Sequence, residues 1–582
     1  MEKSKIVPGF MRLRFCKNET RLVEKAVNLL FFLYFSLMRK YAAVVLFVAL
    51  CGLKIPVAVA QDTTLTIRAI EGLKYDVPRF VVRPGTRVHL TLDNYDDMAH
   101  NLVVTLPNIQ QIHIYESKDL KDWKYCSAFG GLGAKNSFWE CPDLFELPVT
   151  GNRQKKWVML IGRGPNRVQY FVGDFNGKVF TPDSKGADYL KNGTGLEGLV
   201  FENFEQGLTN WKAEGTAFKA DTANDVVDYL GKSYAGSSAK ISSTGKLISK
   251  LFTISHTAIN FLLAGGKYPD TTCIKLVVDG KVCRTATGDN TKVFRWNGWD
   301  VRDLMGKQAH IEIIDSHAGT DNAFIAADHI LFSNKLLNQQ LEHAQWLDYG
   351  PDYYATRTWR NYDEQKSTGD SVVAIGWMGN WDYAGKVPTQ WGKGFQSIPR
   401  LMTLKQDKNG YTIVQNPIPQ LQQLRAEVYQ VKNVKVQGTQ KTGFNPEKNS
   451  YEIDMAFKPA KGSTFGFNLL GGEGRKLVLR YDPVTSVITL DRSNCTDYVT
   501  DAEFTGLFAK KITVPVNLFN GTLRLHIFVD QSSIEVFVND GETVISATTF
   551  PSEKQLGITM FSEGGTTTVT QLKAWQLNTI WK

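Results

Sequence analysis

Leu523-Arg524-Leu525-His526-Ile527-Phe528-Val529-Asp530-Gln531-Ser532-Ser533-Ile534-Glu535-Val536-Phe537-Val538 decides the fold class. Apolar side chains fall at 523, 525, 527 and 529, and again at 534, 536 and 538 after a polar turn at Gln531-Ser532-Ser533. Successive side chains of a strand point to opposite faces, so this period of two predicts a hairpin with one buried face. Ile453, Met455 and Phe457, then Leu477 and Leu479, repeat the pattern, and long helical periodicities are scarce. The chain reads as all-β, with Gly, Asn and Asp punctuating short strands as they do in sandwiches and propeller blades. With 582 residues, 43% of them hydrophobic, it has material for three or four domains, and disorder is excluded.

The formal charge of +9 raises nucleic acid as a partner. Residues 1–60, however, carry ten basic against three acidic residues, which leaves 57 basic and 55 acidic of the 67 and 58 in the whole chain. The basic excess belongs to a leader, and no phosphate-binding surface is implied. Met38-Arg39-Lys40 is a short positive segment, Tyr41 to Leu53 an apolar core, and Ala58-Val59-Ala60 a small-residue cleavage site before Gln61. This predicts a signal peptide starting at Met38, a secreted or periplasmic product, and no membrane partner after cleavage. The apolar run is too short to span roughly 30 Å of hydrocarbon. Beyond the leader five cysteines remain, at 126, 141, 273, 283 and 495, with no Cys-x-x-Cys pair and no zinc-type His/Cys spacing. A Cys273–Cys283 bridge across a hairpin is one reading, and two free thiols on adjacent strands the other. No metal and no cofactor are expected.

Along the rest of the chain, 62–107 is one strand-rich block. Residues 110–198 are punctuated by Trp and Gly and end in a predicted loop at Lys191-Asn192-Gly193-Thr194-Gly195. Residues 199–334 look self-contained, 343–425 return to the Trp-rich style, and 427–582 form a β-sandwich. Five of the 13 Trp (346, 359, 377, 381, 391) lie within 343–395. In Phe138-Trp139-Glu140-Cys141-Pro142-Asp143-Leu144-Phe145, a Glu sits among apolar neighbours. A carboxyl held against apolar surface keeps its proton near neutrality, as a general acid for a glycosidic oxygen requires. The alternative is a strand-end Glu paired to a nearby cation.

Ile114-Tyr115-Glu116-Ser117-Lys118-Asp119-Leu120-Lys121-Asp122-Trp123, the Trp139-Glu140-Cys141-Pro142-Asp143 segment and Gln169-Tyr170-Phe171-Val172-Gly173-Asp174-Phe175 carry a resemblance. So do Leu347-Asp348-Tyr349-Gly350-Pro351-Asp352-Tyr353-Tyr354, Gly376-Trp377-Met378-Gly379-Asn380-Trp381, Ile398-Pro399-Arg400 and Ile527 to Phe537. In this order they resemble glycoside hydrolase family 32, the levanases, inulinases and invertases. The resemblance implies a five-bladed propeller followed by a sandwich, a fructan or sucrose-type substrate and a retaining mechanism, with Glu140 as acid/base. It further implies that Trp139, Cys141, Asp352, Tyr353 and Trp377 bind substrate, Tyr353 and Trp377 as pocket walls on which sugar faces stack. Blade-core packing is the other reading of those two rings.

Retaining chemistry uses two carboxyls about 5–5.5 Å apart. In the family the nucleophile lies in Trp-Met-Asn-Asp-Pro-Asn and a stabilising Asp in Arg-Asp-Pro. This sequence contains neither, since Arg302-Asp303 is followed by Leu304. Residues 110–198 and 343–425 supply about half a propeller. In place of the missing blades, Ile67-Arg68-Ala69-Ile70-Glu71-Gly72 through Asp97-Met98-Ala99-His100-Asn101 resembles half of an azurin-like cupredoxin, where such a His ligates copper. No Cys or second His follows at copper-site spacing, so His100 is expected to be an orphan ligand. Residues 199–334 resemble a β-sandwich inserted in some fructanases, with Trp211, Trp296 and Trp299 as candidate sugar platforms or as core. The expected function is a secreted β-fructosidase acting on levan, inulin or sucrose-type linkages, impaired by loss of its nucleophile. The alternative is a non-catalytic fructan-binding or remnant fusion protein.

Overall fold

A computed structural model describes residues 62–70, 74–75, 87–94 and 110–580, apart from 153, 219–225, 238–242, 318–323, 361–371, 391 and 497–501. The leader expected over 1–60 and His100 lie outside the described residues. The chain divides into two units, Met1–Gln110 and Gln111–Lys582. In the first, strand Asp62–Ile70 pairs in parallel with Arg87–Asn94 and antiparallel with the short Lys74–Tyr75. In the Thr63-Thr64-Leu65-Thr66-Ile67 run every residue but Leu65 is β-branched, which suits a pleated strand.

The second unit begins with a two-stranded ladder, Gln111–Glu116 against Lys124–Gly130. A four-stranded antiparallel meander follows: Trp139–Pro148, Lys155–Arg163, Arg167–Phe175 and Phe180–Pro182. Its second strand carries a continuous apolar run, and alternation sorts that run onto two faces. Val158 and Leu160 pack with Tyr353, Met402, Leu404 and Ile413. Met159 and Ile161 pack with Phe129, Phe171 and Phe180. The meander is thus sandwiched between the first ladder and a third sheet, Tyr354–Arg360, Val372–Met378, Arg400–Asp407 and Gly410–Pro417. Each of those four side chains contributes roughly 1.5–3 kcal/mol by leaving water.

The loop expected at 191–195 is in part a helix, Ser184–Asn192. Asp183 caps it by accepting from the Gly186 N–H at 3.1 Å, and Gly193, at φ +70°, ends it with its N–H on the Tyr189 carbonyl. The Lys-Asn-Gly signal marked the stop of a helix whose body carries too few apolar residues to announce itself.

Strands from Leu199–Glu202 to Ile325–Ser333 form a two-sheet sandwich. These first and last strands pair with each other, so the module's ends lie together and the chain enters and leaves at one place. Trp211, Trp296 and Trp299 are 8%, 2% and 5% exposed, which makes them core and not sugar platforms. Their rings are used up inside: Trp211 Nε1 donates to Glu202 Oε2 at 3.1 Å, and the Trp299 ring packs on Phe261 at 4.6 Å. Cys273 and Cys283, on the adjacent strands Thr272–Val278 and Lys281–Ala286, are both free.

The C-terminal sandwich is built around the 21-residue strand Gly557–Leu577, which pairs with Arg425–Lys441, Tyr451–Lys458 and Thr464–Gly472. The hairpin expected at 523–538 is present as Leu523–Asp530 against Ser533–Val538, with the turn shortened to Gln531-Ser532. Leu525, Ile527, Val529, Ile534 and Val536 all enter the main core.

Candidate active site

Glu140 lies on the edge strand of the 139–182 meander, one residue before a bulge. Pairing runs in register at Glu140–Gly162 and slips before Asp143–Leu160, so Cys141 and Pro142 together oppose the single Ile161. Pro142 has no N–H to lose from a ladder, and Cys141 sits at φ +51°, in the left-handed region where a side chain is strained. A second bulge, at Ala355 (φ +50°), interrupts the facing strand between Tyr354 and Arg357. Three side chains of that strand tie the two bulges together. Tyr354 donates its hydroxyl to Glu140 Oε2 at 3.0 Å, Arg357 Nη1 donates to the Cys141 carbonyl at 2.9 Å, and Thr358 Oγ1 donates to Asp143 Oδ2 at 2.5 Å. A Cβ at Gly162 would crowd the first of these contacts, standing 3.1 Å from the Glu140 carbonyl oxygen and 3.3 Å from the Tyr354 ring. Burial first, then the neighbouring Glu140 carboxylate, push the Tyr354 phenol up, so it stays protonated and donates.

Trp139 is half-buried and serves as an anchor. Its Nε1 donates to the Ala134 carbonyl at 2.9 Å, and the Gln169 carboxamide brackets the same Ala134 from both sides at 3.0 Å. Trp377, also half-buried, is paired to Tyr354 across the ladder, which brings it to the Glu140 side. Its indole is bracketed by Gly379 and Gly394, where any Cβ would collide with the ring at 2.2 and 2.0 Å. Trp381, 63% exposed, tilts against Trp377 with centroids 4.9 Å apart. Trp381 was not among the expected site residues; the density of Trp over 343–395 is the signal that could have found it.

Asp352 and Tyr353 do not fit the substrate-binding role expected of them, because both are wholly buried. Asp352 Oδ2 accepts from Arg492 Nη1 at 2.7 Å, from the Thr548 N–H at 2.8 Å and from Thr548 Oγ1 at 3.0 Å, and Oδ1 accepts from the Tyr383 hydroxyl. The Tyr353 ring lies under the Arg400 guanidinium at 4.0 Å. Arg400 in turn pairs with Asp348 at 2.9 Å and Glu535 at 2.6 Å. Burial opposes the Arg400 charge, but Tyr353, Glu535 and Asp348 outweigh it and hold the guanidinium above its ordinary range. These residues weld the 354–417 sheet to the C-terminal sandwich. Among the described residues, no cluster of three or more His, Cys, Asp or Glu could hold a metal ion.

The Glycosyl hydrolases family 32 N-terminal domain matches residues 95–197 and 288–417, and the Glycosyl hydrolases family 32 C terminal domain matches 420–576. A protein of Aspergillus rugulosus named as the glycosyl hydrolase ecdE is 32% identical over 505 residues, 82% of this chain and 70% of that one. The chain belongs to glycosyl hydrolase family 32. It is also similar to a levanase of Bacillus subtilis (strain 168), 27% identical over 82% of this chain but only 49% of the levanase. The crystal structure of exo-inulinase from Aspergillus awamori is 23% identical, covers 82% of this chain and 64% of its own, and has a TM-score of 0.49. The chain thus spans half to two thirds of those two relatives. The family 32 match resumes at 288, whereas the strands of the inserted sandwich continue to Ser333. No helix of the described residues is long and apolar enough to cross a membrane.

Proposed function

We propose that this family 32 chain is a secreted, fructan-directed protein of the β-fructosidase type that keeps the proton-donating half of its catalytic pair and lacks the nucleophilic half. The observation that carries this reading is Glu140, held at a bulge by Tyr354, whose ladder partner Trp377 tilts against Trp381. In it, a fructosyl unit of levan, inulin or a sucrose-type sugar stacks on those rings while Glu140 faces the glycosidic oxygen. Glu140 would protonate that oxygen as the bond breaks. No Asn-Asp-Pro or Arg-Asp-Pro occurs in the sequence to supply the attacking carboxylate. Sheets 111–130, 139–182 and 354–417 stand in this reading for the surviving part of a five-bladed propeller. Loss of a nucleophilic carboxylate costs on the order of 10⁴–10⁶ in kcat.

The test is a reducing-sugar assay on levan, inulin and sucrose beside affinity electrophoresis in a fructan gel. Retarded migration with turnover about 10⁴-fold or more below that of an intact family 32 enzyme is expected. Turnover at the intact level, abolished by Glu140→Gln, would overturn the loss of catalysis. Absence of retardation would overturn the fructan reading.

A further inference from the structure

A cleft of about 290 Å³ opens where helix 184–192, the segment leading out of the inserted sandwich, the 409 turn and the C-terminal sandwich meet. It adjoins a second hollow of about 180 Å³, with which it shares Tyr189, Lys335, Tyr349 and Asn409. None of the residues around Glu140 lines either one.

Three features of the cleft point to one ligand chemistry. At its mouth stands Phe519, 65% exposed, on a turn closed by reciprocal backbone hydrogen bonds with Thr522 at 2.9 and 3.0 Å. Asn520 (φ +50°) and Gly521 (φ +71°) give that turn the doubly left-handed form that holds a tight hairpin rigid. A large apolar ring is thereby carried into solvent on a tight turn, where it gains nothing for folding. Inside, the Tyr189 and Tyr349 hydroxyls and the Asn409 carboxamide line the space, and among the described residues none of them has a hydrogen-bond partner. The charged groups, by contrast, already have ion-pair or hydrogen-bond partners. Glu197 is met by Lys335 at 3.1 Å and Lys408 at 3.5 Å. Asp407 accepts from the Asn409 N–H at 2.8 Å and from Thr412 Oγ1 at 2.7 Å.

Unspent neutral donors and acceptors beside an aromatic face, with Glu197 and Glu542 ion-paired and Asp407 already satisfied by neutral donors, suit an uncharged polyhydroxylated ligand. An anion would have to break existing ion pairs. A purely apolar ligand would strand the hydroxyls and the amide, each at a desolvation cost. The volume is near the lower end, roughly 300 Å³, of sites for small ligands. We propose that this cleft is a second carbohydrate site that holds a short, neutral oligosaccharide segment, with Phe519 as its stacking platform and Asn409, Tyr189 and Tyr349 as its polar contacts. That the sugar is a fructan rests on the reading above; the site itself does not.

Isothermal titration of the full chain with inulin-type, levan-type and cello-oligosaccharides tests this, comparing the parent with Phe519→Ala, Asn409→Ala and Trp377→Ala. Phe519 is on an exposed turn, so its removal leaves the fold intact, and thermal melts check all three. The expected result is two fructan sites per chain. Phe519→Ala and Asn409→Ala weaken one of them about tenfold or more, and Trp377→Ala weakens only the other. If both cleft variants, folded as the parent, bind every sugar with unchanged stoichiometry and affinity, the inference is overturned. It is equally overturned if no sugar binds at all. Cleft binding confined to cello-oligosaccharides would support the site while sinking the fructan reading.

Discussion

Tyr354 donates its hydroxyl to Glu140 across 3.0 Å from 214 residues further along the chain. The contact makes the 354–417 sheet responsible for where the Glu140 carboxylate points. A side-chain hydrogen bond contributes about 0.5–1.5 kcal/mol net. Tyr354→Phe should therefore lower stability by about 1 kcal/mol. In a double-mutant cycle with Glu140→Ala in urea, the two losses should fall short of additivity by about 1 kcal/mol. Additive losses would mean that the two side chains do not communicate.

Asp352 separates a substrate contact from a structural one. Its carboxylate and Arg492 are both wholly buried, and removing one partner of such a pair leaves the other charge stranded. Asp352→Ala should cost about 3–5 kcal/mol in denaturant unfolding. Fructan affinity, measured below the unfolding transition, should be unaltered. A variant of parental stability with lost affinity would restore the substrate role.

The same position shows what a sequence can and cannot display. The 523–538 hairpin was readable because period two is a local property of consecutive residues. Glu140 was singled out because its neighbours are distinctive. Which face of a strand lies against a second domain is not local, so Asp352 and Tyr353 read like pocket residues until Arg492 and Arg400 are seen to cover them. Trp211, Trp296 and Trp299 were ambiguous for the same reason, since a sugar platform and a core indole share one residue type. Trp381 differs from them only in being exposed.

His343 should give the chain an acid-sensitive seam. Its Nδ1 accepts from Trp296 Nε1 at 3.2 Å and its Nε2 lies 2.9 Å from the Tyr189 carbonyl, so both nitrogens are committed as a neutral Nε2–H ring. Burial depresses its pKa from 6.5 to about 4. The unfolded chain therefore takes the proton first: this stability is full above about pH 6.5 and is lost as pH falls toward 4, by about 3 kcal/mol. Asp228, whose carboxyl burial raises to about 7, works in the opposite direction over much of that range. The difference between parent and His343→Gln isolates the histidine. Melting temperatures from pH 4.5 to 7.5 should converge as pH falls, the parent losing its advantage. A constant gap across that range would exclude the mechanism.

Limited proteolysis tests which parts of the chain depend on one another. From strand pattern alone, residues 199–334 and 427–582 would be expected to survive as two resistant fragments, with 62–195 digested first. The buried pairs change that expectation for the C-terminal sandwich. Arg492 and Glu535 belong to it, and their partners Asp352 and Arg400 do not. The 354–417 sheet also shares a core with the 139–182 meander through Tyr353, Met402, Leu404 and Ile413. Cutting near 427 would open two buried ion networks, and cutting near 195 would open that core. The two-stranded ladder 111–130 is held less firmly, by Phe129 packed on the meander and by no buried ion pair among the described residues. Its Leu120, Trp123 and Tyr125 are 76%, 56% and 52% exposed, and two strands alone are marginally stable with open edges. The first cuts should therefore fall between Ser117 and Trp123, leaving a resistant core that starts near Trp139 and runs to the C-terminal sandwich. Mass spectrometry of a time course identifies the fragments. Early release of an intact 427–582 species, with Ser117–Trp123 uncut, would show that the buried pairs do not hold the two domains together.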